Sequence, residues 1–551
     1  VVQGNVTFDP SRNITFNATY LLVTGTGRLA AGSAAVPHAS FLTIVLNGSR
    51  STPDWVVTPE LNLGSKVMAA IGGGTIDLFG TTVVKRWTRL ALPAAAGATT
   101  LRLAEPMLGW STSLASPAQV LVGSTTYNWQ QAEVRAVVAI ADNGTTLTLD
   151  RPLTYAHGAT ITRYSNAAPV DMRAEVALLS SNVVVTSADG PAQRTAGAAS
   201  ERFGARVVAA GNSTLRLSHV TVSYCGQAGL ESRACVLFQR MARVAANATA
   251  GLAAGSLANP SFVLRSALLY GLNSNIQILK SAPVAVAATG DAAPATSDPS
   301  NTVEGVTVEG NVLLESYDVS GLYVTSSANT IRGNLAVGLI KEMQGKSGFD
   351  KYLPANYEIE APDNFVEGNV AGGSERLGFK YYGLPCGTYA AGSFTGNAAH
   401  ASLAGLVLWA SADSAAAGCT RLTDFAAWSN WDFGVISVRG IPTSVRLERL
   451  SVLDTKYTGV LVLVSGGMQS KYSVAWSGGL LVGQSSTAVC AACSAPGQPG
   501  CHPKLSTQSY QRTQPFAPSR GLVSSSFALQ WTAGPESKAW DGQMGYNLIQ
   551  G

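Results

Sequence analysis

The residues of this chain that could do acid–base or metal chemistry are few and dispersed. Its five histidines are His38, His157, His219, His400 and His502. No two stand at the short spacing by which metal sites gather imidazoles, so a histidine-based site is not expected. The densest carboxylate set is Asp350, Glu358, Glu360 and Asp363, with Lys346, Lys351 and Arg376 close by. A polysaccharide lyase could use such carboxylates to hold a cation and such a lysine or arginine as base. On a protein this poor in charge, a solvated loop is the plainer expectation. Cys490-x-x-Cys493 followed by Cys501-His502 is half of a zinc pattern, which ordinarily pairs two such knuckles. Trp409, Trp428, Trp431, Trp476, Tyr381 and Tyr382 fall late in the chain. Those on strands should stack in a core. Trp428-Ser-Asn-Trp431-Asp432 reads as a bend, and Trp428, Trp431 and Asp432 are the candidate glycan contact. The expectation is therefore no catalytic residue, no cofactor-binding residue and no metal ligand.

The elements that would hold these residues are strands. The chain has 551 residues, 46% hydrophobic and only 13% charged, with a net charge of +4. That composition excludes a disordered chain and a coiled coil. The basic residues form no run that would track a nucleic-acid backbone, so no nucleic-acid partner is expected. Gly 57 and Pro 24, with abundant Val, Thr, Ser and Ala, indicate a turn-rich all-β protein. The strongest apolar stretch, Val460 to Val464, is strand-sized, so no membrane span is expected. Asn5-Val-Thr-Phe already reads as a strand, and the chain is expected to be a piece of a larger or processed protein. Val134 to Ile140, Asp142-Asn143-Gly144 and Thr145 to Leu149 predict a hairpin.

From about residue 166 a repeat sets in. Glu309-Gly-Asn311, Arg332-Gly-Asn334, Glu367-Gly-Asn369 and Thr395-Gly-Asn397 share one pattern, with asparagines 23, 35 and 28 residues apart. Each has an apolar residue upstream and a second short strand downstream. Degenerate copies follow at Ala426-Ala-Trp and Ser451-Val-Leu, and weaker ones precede at Leu217 and Phe262. One turn of a parallel β-helix takes roughly 20 to 30 residues, and each turn buries its apolar face against the next. The asparagine suits a recurring bend: it tolerates unusual backbone angles, and its amide can bond the asparagine of the adjacent coil. The division predicted is a β domain with a hairpin extension over 1–165, β-helix repeats over 166–483, and a Cys/Ser/Pro-rich tail over 484–551. Ala282 to Ser300 reads as a flexible loop, and Lys341 to Ala355 as a lengthened coil.

Two features point outside the cytosol. Sequons stand at Asn5, Asn13, Asn17, Asn47, Asn143, Asn212 and Asn247, which are the predicted glycosylation sites. The seven cysteines suit disulfides in an oxidising compartment. Strands Gly378-Phe-Lys-Tyr and Gly405-Leu-Val-Leu-Trp follow consecutive repeats, so the loops behind them should leave the rod on one side. That predicts a Cys386–Cys419 disulfide. The pairing of Cys225, Cys235, Cys490, Cys493 and Cys501 stays open.

These residues also carry a family resemblance. Ala18-Thr-Tyr-Leu-Leu-Val-Thr-Gly-Thr-Gly-Arg-Leu, Lys66-Val-Met-Ala-Ala-Ile-Gly-Gly-Gly-Thr-Ile-Asp-Leu-Phe-Gly80 and Trp87-Thr-Arg-Leu-Ala91 resemble a G8 domain lacking its first part. Gln131 to Arg135, Thr146 to Leu153 and Val170 to Val176 resemble the stretch that follows it in fibrocystin-like proteins and the cell-surface hyaluronidase group. Asn356 to Phe365 and Gly368 to Phe379 resemble their shared β-helix. The resemblance covers about residues 1–480. It implies a right-handed parallel β-helix after a G8-type domain, on a secreted protein or ectodomain. The family commonly carries a His-x-His pair after its Gly-Gln motif; behind Gly226-Gln227 this chain has Leu237 and Gln239 instead. Imidazoles are what a glycosidic mechanism or a metal would use there. The function implied is a non-catalytic, glycosylated extracellular β-helix for adhesion, recognition or surface and filament assembly, with glycans, extracellular proteins or further copies as partners. The competing class is a hyaluronidase-like or lyase-like depolymerase.

Overall fold

The computed structural model describes residues 1–58, 61–115, 117–164, 167–194, 201–239, 261–279, 305–341, 353–361, 364–382, 393–409, 418–438, 443–456, 458–464, 474–482, 527–533 and 547–550. The chain winds as a parallel β-helix whose coils contribute strands to three sheets, here A, B and C. Sheet A stacks Arg28–Ala31, Thr75–Phe79, Thr214–Ser218, Phe262–Leu264, Thr307–Glu309, Thr330–Arg332 and Phe365–Glu367 in parallel register. Sheet B stacks Ile14–Ala18, Leu42–Leu46, Val183–Ser187, Val220–Ser223, Ala267–Leu269, Val312–Tyr317 and Leu335–Ile340. Sheet C stacks Tyr20–Thr24, Val67–Ile71, Arg206–Ala210, Val236–Gln239, Ile276–Leu279, Leu322–Val324 and Ala355–Ile359. The long strands Val370–Tyr381 and Ala398–Trp409 turn the corner and serve sheets B and C in succession. Alternate side chains of all three sheets point inward and form one continuous core, from Leu21, Ile44 and Ile76 through Val308, Leu313 and Leu322 to Phe379, Phe394 and Phe425.

The repeat pattern has a plain mechanical origin at the bend from sheet A to sheet B. One residue there lies in the left-handed region: Arg265 (φ 41°), Gly310 (66°), Gly333 (60°), Gly368 (61°), Gly396 (64°) and Asp424 (53°). Glycine takes this conformation without a Cβ penalty, which explains its recurrence. The unusual backbone angle therefore belongs to the glycine and not, as the repeat had suggested, to the asparagine behind it. The asparagine does the bonding. Asn311, Asn334, Asn369 and Asn397 are fully buried and stacked. Asn334 Oδ1 accepts the backbone N–H and the side-chain amide of Asn311 at 3.0 and 2.9 Å. Asn369 serves Asn334 at 3.0 and 2.9 Å, and Asn397 serves Asn369 at 2.9 and 3.0 Å. A second stack, Asn329 on Asn364 at 2.9 Å, sits at the entry to sheet A and was not read from the sequence.

The expected boundary at 165/166 does not coincide with a change of sheet. Apart from the small hairpin Trp55–Thr58/Leu61–Gly64, the strands from Asn5 to Phe79 already belong to the β-helix, because sheet A runs unbroken from Thr75–Phe79 to Thr214–Ser218 and sheet B from Leu42–Leu46 to Val183–Ser187. The separate unit is an insertion between Phe79 and Val183. It is a six-stranded antiparallel sheet, in the order Trp87–Arg89, Glu175–Leu178, Gln119–Val122, Glu133–Ala141, Thr146–Leu149, Thr100–Arg102. Its hairpin at Asp142-Asn143-Gly144 turns through three left-handed residues, at φ 50°, 55° and 84°.

The insertion folds back onto sheet B. Leu121, Ala177 and Leu179 pack on Ala267, Leu269, Val312, Leu314, Leu335 and Val337 of successive coils. Polar contacts extend the brace along the rod: Trp87 Nε1 donates to Gly333 O at 2.8 Å and Tyr127 Oη to Asp454 O at 2.6 Å. Sheet B strands are thus covered on both faces. That explains why they read as unbroken apolar runs such as Val312-Leu-Leu and Leu335-Ala-Val.

Candidate functional site

Outward-facing residues of sheet C form columns, one residue per coil. The column of Leu237 continues through Gln277, Tyr323 and Glu358 to Lys380 and Val407. Its first members are apolar: Leu237 is buried with Leu63, Val67 and Val208. Its last members are apolar too, Val407 packing with Leu377, Ala404, Phe433 and Ile436. Between these patches the column turns polar. Glu358 and Glu360 alternate with inward Tyr357 and Ile359, as a strand with one core face requires.

Lys380 Nζ donates to Glu358 Oε1 at 2.7 Å, and Tyr382 Oη reaches the same oxygen at 3.2 Å. The Ser320 hydroxyl donates to the other Glu358 oxygen. Tyr323 Oη donates to Glu360 Oε1 at 2.9 Å, and Tyr382 is within reach of Glu360 as well. Burial, and then the neighbouring charge of Glu358, push the Glu360 carboxyl above its ordinary pKa against the opposing pull of Tyr323. Burial raises both tyrosine hydroxyls, with Glu360 adding for Tyr323 and Glu358 for Tyr382. They stay protonated donors at any physiological pH. The set therefore presents two carboxylates, two phenols and one lysine on a half-buried face. It can accept hydrogen bonds from a ligand, and its one cation is already paired.

Of the carboxylate cluster expected from sequence, Glu358 and Glu360 come together here. Arg376 does not join them: its charge lies by Glu375, Asp432 and Asp318. Lys346, Asp350, Lys351 and Asp363 lie outside the described residues. Tyr323 and Lys380 were missed as site members, and Tyr382 was read only among the late aromatics, because the set is drawn from three different coils. Only the strand register brings them into one column.

The exposed-bend reading of Trp428, Trp431 and Asp432 is corrected. All three are buried. Trp428 lies on the outward side of sheet B, where the insertion covers it with Val170 and Met172. Its indole stacks on the His400 ring, centroids 3.9 Å apart. Trp431 meets Tyr127 of the insertion edge-on at 5.9 Å. Burial raises the Asp432 carboxyl to about 7, the Arg376 charge opposing. At the same interface His400 Nε2 is 3.2 Å from Glu175 Oε2, both side chains fully buried. Burial alone would raise Glu175, but His400 and Arg89 hold it below the ordinary carboxylate value.

The sequons at Asn5, Asn13, Asn17, Asn143 and Asn212 are exposed and Asn47 is half-buried, while Asn247 lies outside the described residues. So does Cys386, and the side chain of Cys419 is likewise not described, so that pairing stays an expectation. Cys225 and Cys235 form a disulfide. Cys490, Cys493, Cys501 and His502 lie outside the described residues. Among the described residues no helix is long and apolar enough to cross a membrane.

Residues 1–91 match the G8 domain, which places that domain on the first coils of the β-helix and the opening strand of the insertion. The chain is 25% identical to human fibrocystin-L over 449 residues, 77% of this chain and 9% of that protein. It is 24% identical to dog fibrocystin over 466 residues, 84% of this chain and 10% of that protein. It thus spans about a tenth of the length of these relatives. A G8 domain-containing protein of Dictyostelium discoideum is 25% identical over 240 residues, 42% of this chain and 15% of that protein. Among solved structures, the Gp54 tailspike of Acinetobacter baumannii bacteriophage AP22 aligns over 88% of this chain and 65% of its own, at 9% identity and a TM-score of 0.25. The periplasmic alginate epimerase AlgG aligns over 56% and 65%, at 12% identity and a TM-score of 0.30. The chain thus carries a G8 match at its start and is similar over most of its length to proteins of the fibrocystin type.

Proposed function

We propose that this chain is an extracellular, glycosylated and non-catalytic β-helix, and that it serves recognition, adhesion or surface assembly as a rod braced by its insertion. The observation that carries the reading is the state of the polar set on sheet C. Glu358 is engaged by Lys380, Ser320 and Tyr382, and Glu360 by Tyr323. A general base needs a free lone pair within reach of the proton it takes. Here Glu358 spends both its oxygens on internal donors. Exposure of the sequon asparagines on the first coils supports the extracellular placement, since a glycan needs an unobstructed amide. Fibrocystin-type relatedness supports a place at the cell surface.

Two measurements test the reading. Mass spectrometry of protein from its native source, before and after enzymatic glycan removal, should show glycans at most of the seven sequons; an unmodified mass would contradict extracellular placement. Purified protein incubated with hyaluronan and pectin should release no new reducing ends or unsaturated products. A depolymerase reading is favoured by one observation, the raised Glu360 carboxyl beside Glu358. Product formation abolished by Glu360→Gln would establish it and end the non-catalytic proposal. Sedimentation of the intact chain distinguishes a lone rod from copies that assemble.

A further inference from the structure

The polar stretch of sheet C has the make-up of a ligand site, and its charge balance says which kind. Tyr323, Glu358, Glu360, Lys380 and Tyr382 converge from three successive coils. Next to Tyr323 in the same outward column stands Gln277. Its Nε2 donates to Ser274 Oγ at 3.2 Å, while its Oε1 is buried with no protein partner. Gln277 is 6% exposed. A buried carbonyl oxygen without a donor is a cost that native structures seldom carry unless something else supplies the donor. The missing group must therefore be a hydrogen-bond donor, placed beside Tyr323.

We propose that this stretch of sheet C binds a neutral oligosaccharide, whose hydroxyl groups donate to Gln277 Oε1 and to the Glu360 carboxyl, which accepts from Tyr323 on Oε1. The charges decide against an acidic sugar chain. The single lysine is committed to Glu358 at 2.7 Å, which among the described residues of the set leaves no cation for a uronate carboxylate. A uronate placed here would face Glu358 and Glu360, and like charges at close range repel. A bare metal ion is disfavoured by the same ammonium group, which already occupies the Glu358 oxygen it would need. Sugar hydroxyls meet the requirement, because each can donate to a carboxylate or amide oxygen and accept from a phenol. Tyr323 and Tyr382 add ring surface of the kind on which sugar rings pack. The apolar patches on either side, around Leu237 and around Val407, bound the site along the rod.

The proposal rests on the extracellular reading and narrows its ligand. It is tested on the full chain by saturation-transfer NMR and calorimetry. The probes are gluco- and manno-oligosaccharides of four to six residues, with hyaluronan oligosaccharides of equal length for comparison. The expected result is binding of at least one neutral series and at least tenfold weaker binding of the hyaluronan series. Gln277→Leu and Glu360→Gln should each weaken the neutral ligand about tenfold or more, the size expected when one hydrogen bond to a buried group is lost. Both variants keep the side-chain volume, and an unchanged unfolding midpoint shows that a loss is not misfolding. Tyr323→Phe is a third variant that removes only a hydroxyl. No binding of any neutral series, binding indifferent to all three substitutions, or a preference for hyaluronan would each overturn the proposal. Failure of this site in a chain that is secreted and carries its N-glycans would leave the extracellular reading standing. An unglycosylated native protein would remove both.

Discussion

Replacing Asn334 by alanine should cost about 3–5 kcal/mol, and the hydrogen-bond stack shows where that energy sits. The side chain makes four bonds: its oxygen accepts the backbone N–H and the amide of Asn311, and its nitrogen donates to Val308 O and Asn369 Oδ1. Two partners keep other bonds after truncation. The Asn311 amide still donates to Val263 O, and Asn369 Oδ1 still accepts the backbone N–H of residue 334. The backbone N–H of Asn311 loses its acceptor at a fully buried position, which costs about 1–3 kcal/mol. Loss of the donor to Val308 O and the void left by the amide each add about 1 kcal/mol. Asn334→Leu separates these contributions, since leucine and phenylalanine stand at the matching place in later coils, as Leu450 behind Arg449 and Phe425 behind Asp424. It should recover about 1 kcal/mol by filling the void and leave the orphaned N–H uncorrected. Urea unfolding gives the global cost. Native-state hydrogen exchange at the Asn311 amide shows whether the loss is local, as expected for a rod whose coils contact chiefly their neighbours. A cost below about 1 kcal/mol with unchanged exchange at Asn311 would refute the assignment of stability to the stack.

Three further outcomes follow from the buried charges and the disulfide. Glu175 is depressed in the folded state, so its stabilisation is complete above its unfolded value near 4.5 and fades as pH falls through the lower folded value. Glu175→Gln should flatten the acid side of a Tm-against-pH curve, and an unchanged slope would mean the pair with His400 contributes nothing. Asp432 has the opposite sign: raised from 3.8 to about 7, it costs stability progressively as pH rises across that interval. Asp432→Asn should therefore raise the Tm more at pH 8 than at pH 5. Removing the Cys225–Cys235 bridge by paired Cys→Ala changes frees a separation of 10 residues, worth about 3 kcal/mol in the chain-entropy account. Non-reducing peptide maps should show this bridge and Cys386–Cys419; a Cys386 crosslink elsewhere would break the coil register behind that second pairing.

How much of this was legible in the residues depended on whether a signal repeats. Gly-Asn followed by a small apolar triplet recurs because each coil needs the same left-handed bend and the same amide bond, so Asn311, Asn334, Asn369 and Asn397 could be aligned by eye. The first coils escaped that alignment. Their bends carry other residues, and the antiparallel insertion, just over a hundred residues long, separates Phe79 from Val183. A strand pattern interrupted at that length gives no local sign that both ends return to one sheet. The Trp428 bend was misread for a related reason. Polar Ser429 and Asn430 beside two tryptophans look like an exposed loop, yet Asn430 is fully buried, bonding Ser402 N and Ala399 O. What covers it comes from residues some 300 positions earlier, Tyr127 above all. Gln277, Tyr323, Glu358 and Lys380 likewise have no sequence proximity. Only the parallel register makes them neighbours.

The insertion also decides which side of the rod can meet a partner. Sheet B is spent on internal packing from Ala267 to Leu453, where Leu121, Ala177, Val170 and Met172 seal its outer face. Sheet A turns outward a ladder of paired charges, Arg28 and Arg216 on Asp77 and Arg332 on Glu367. The Arg332–Glu367 pair is solvent-exposed and individually weak, and Asp77 is buried with both oxygens already taken by Arg28 and Arg216, so this ladder offers a ligand little. Sheet C differs from both. Its polar column is half-buried, flanked by apolar patches, and holds an oxygen still lacking a donor. A ligand gains most where protein groups are already partly stripped of water, because their hydrogen bonds then compete with less solvent. That asymmetry favours sheet C as the face for the proposed ligand, with sheet B as the spine that keeps consecutive coils, and so the members of the column, in fixed register.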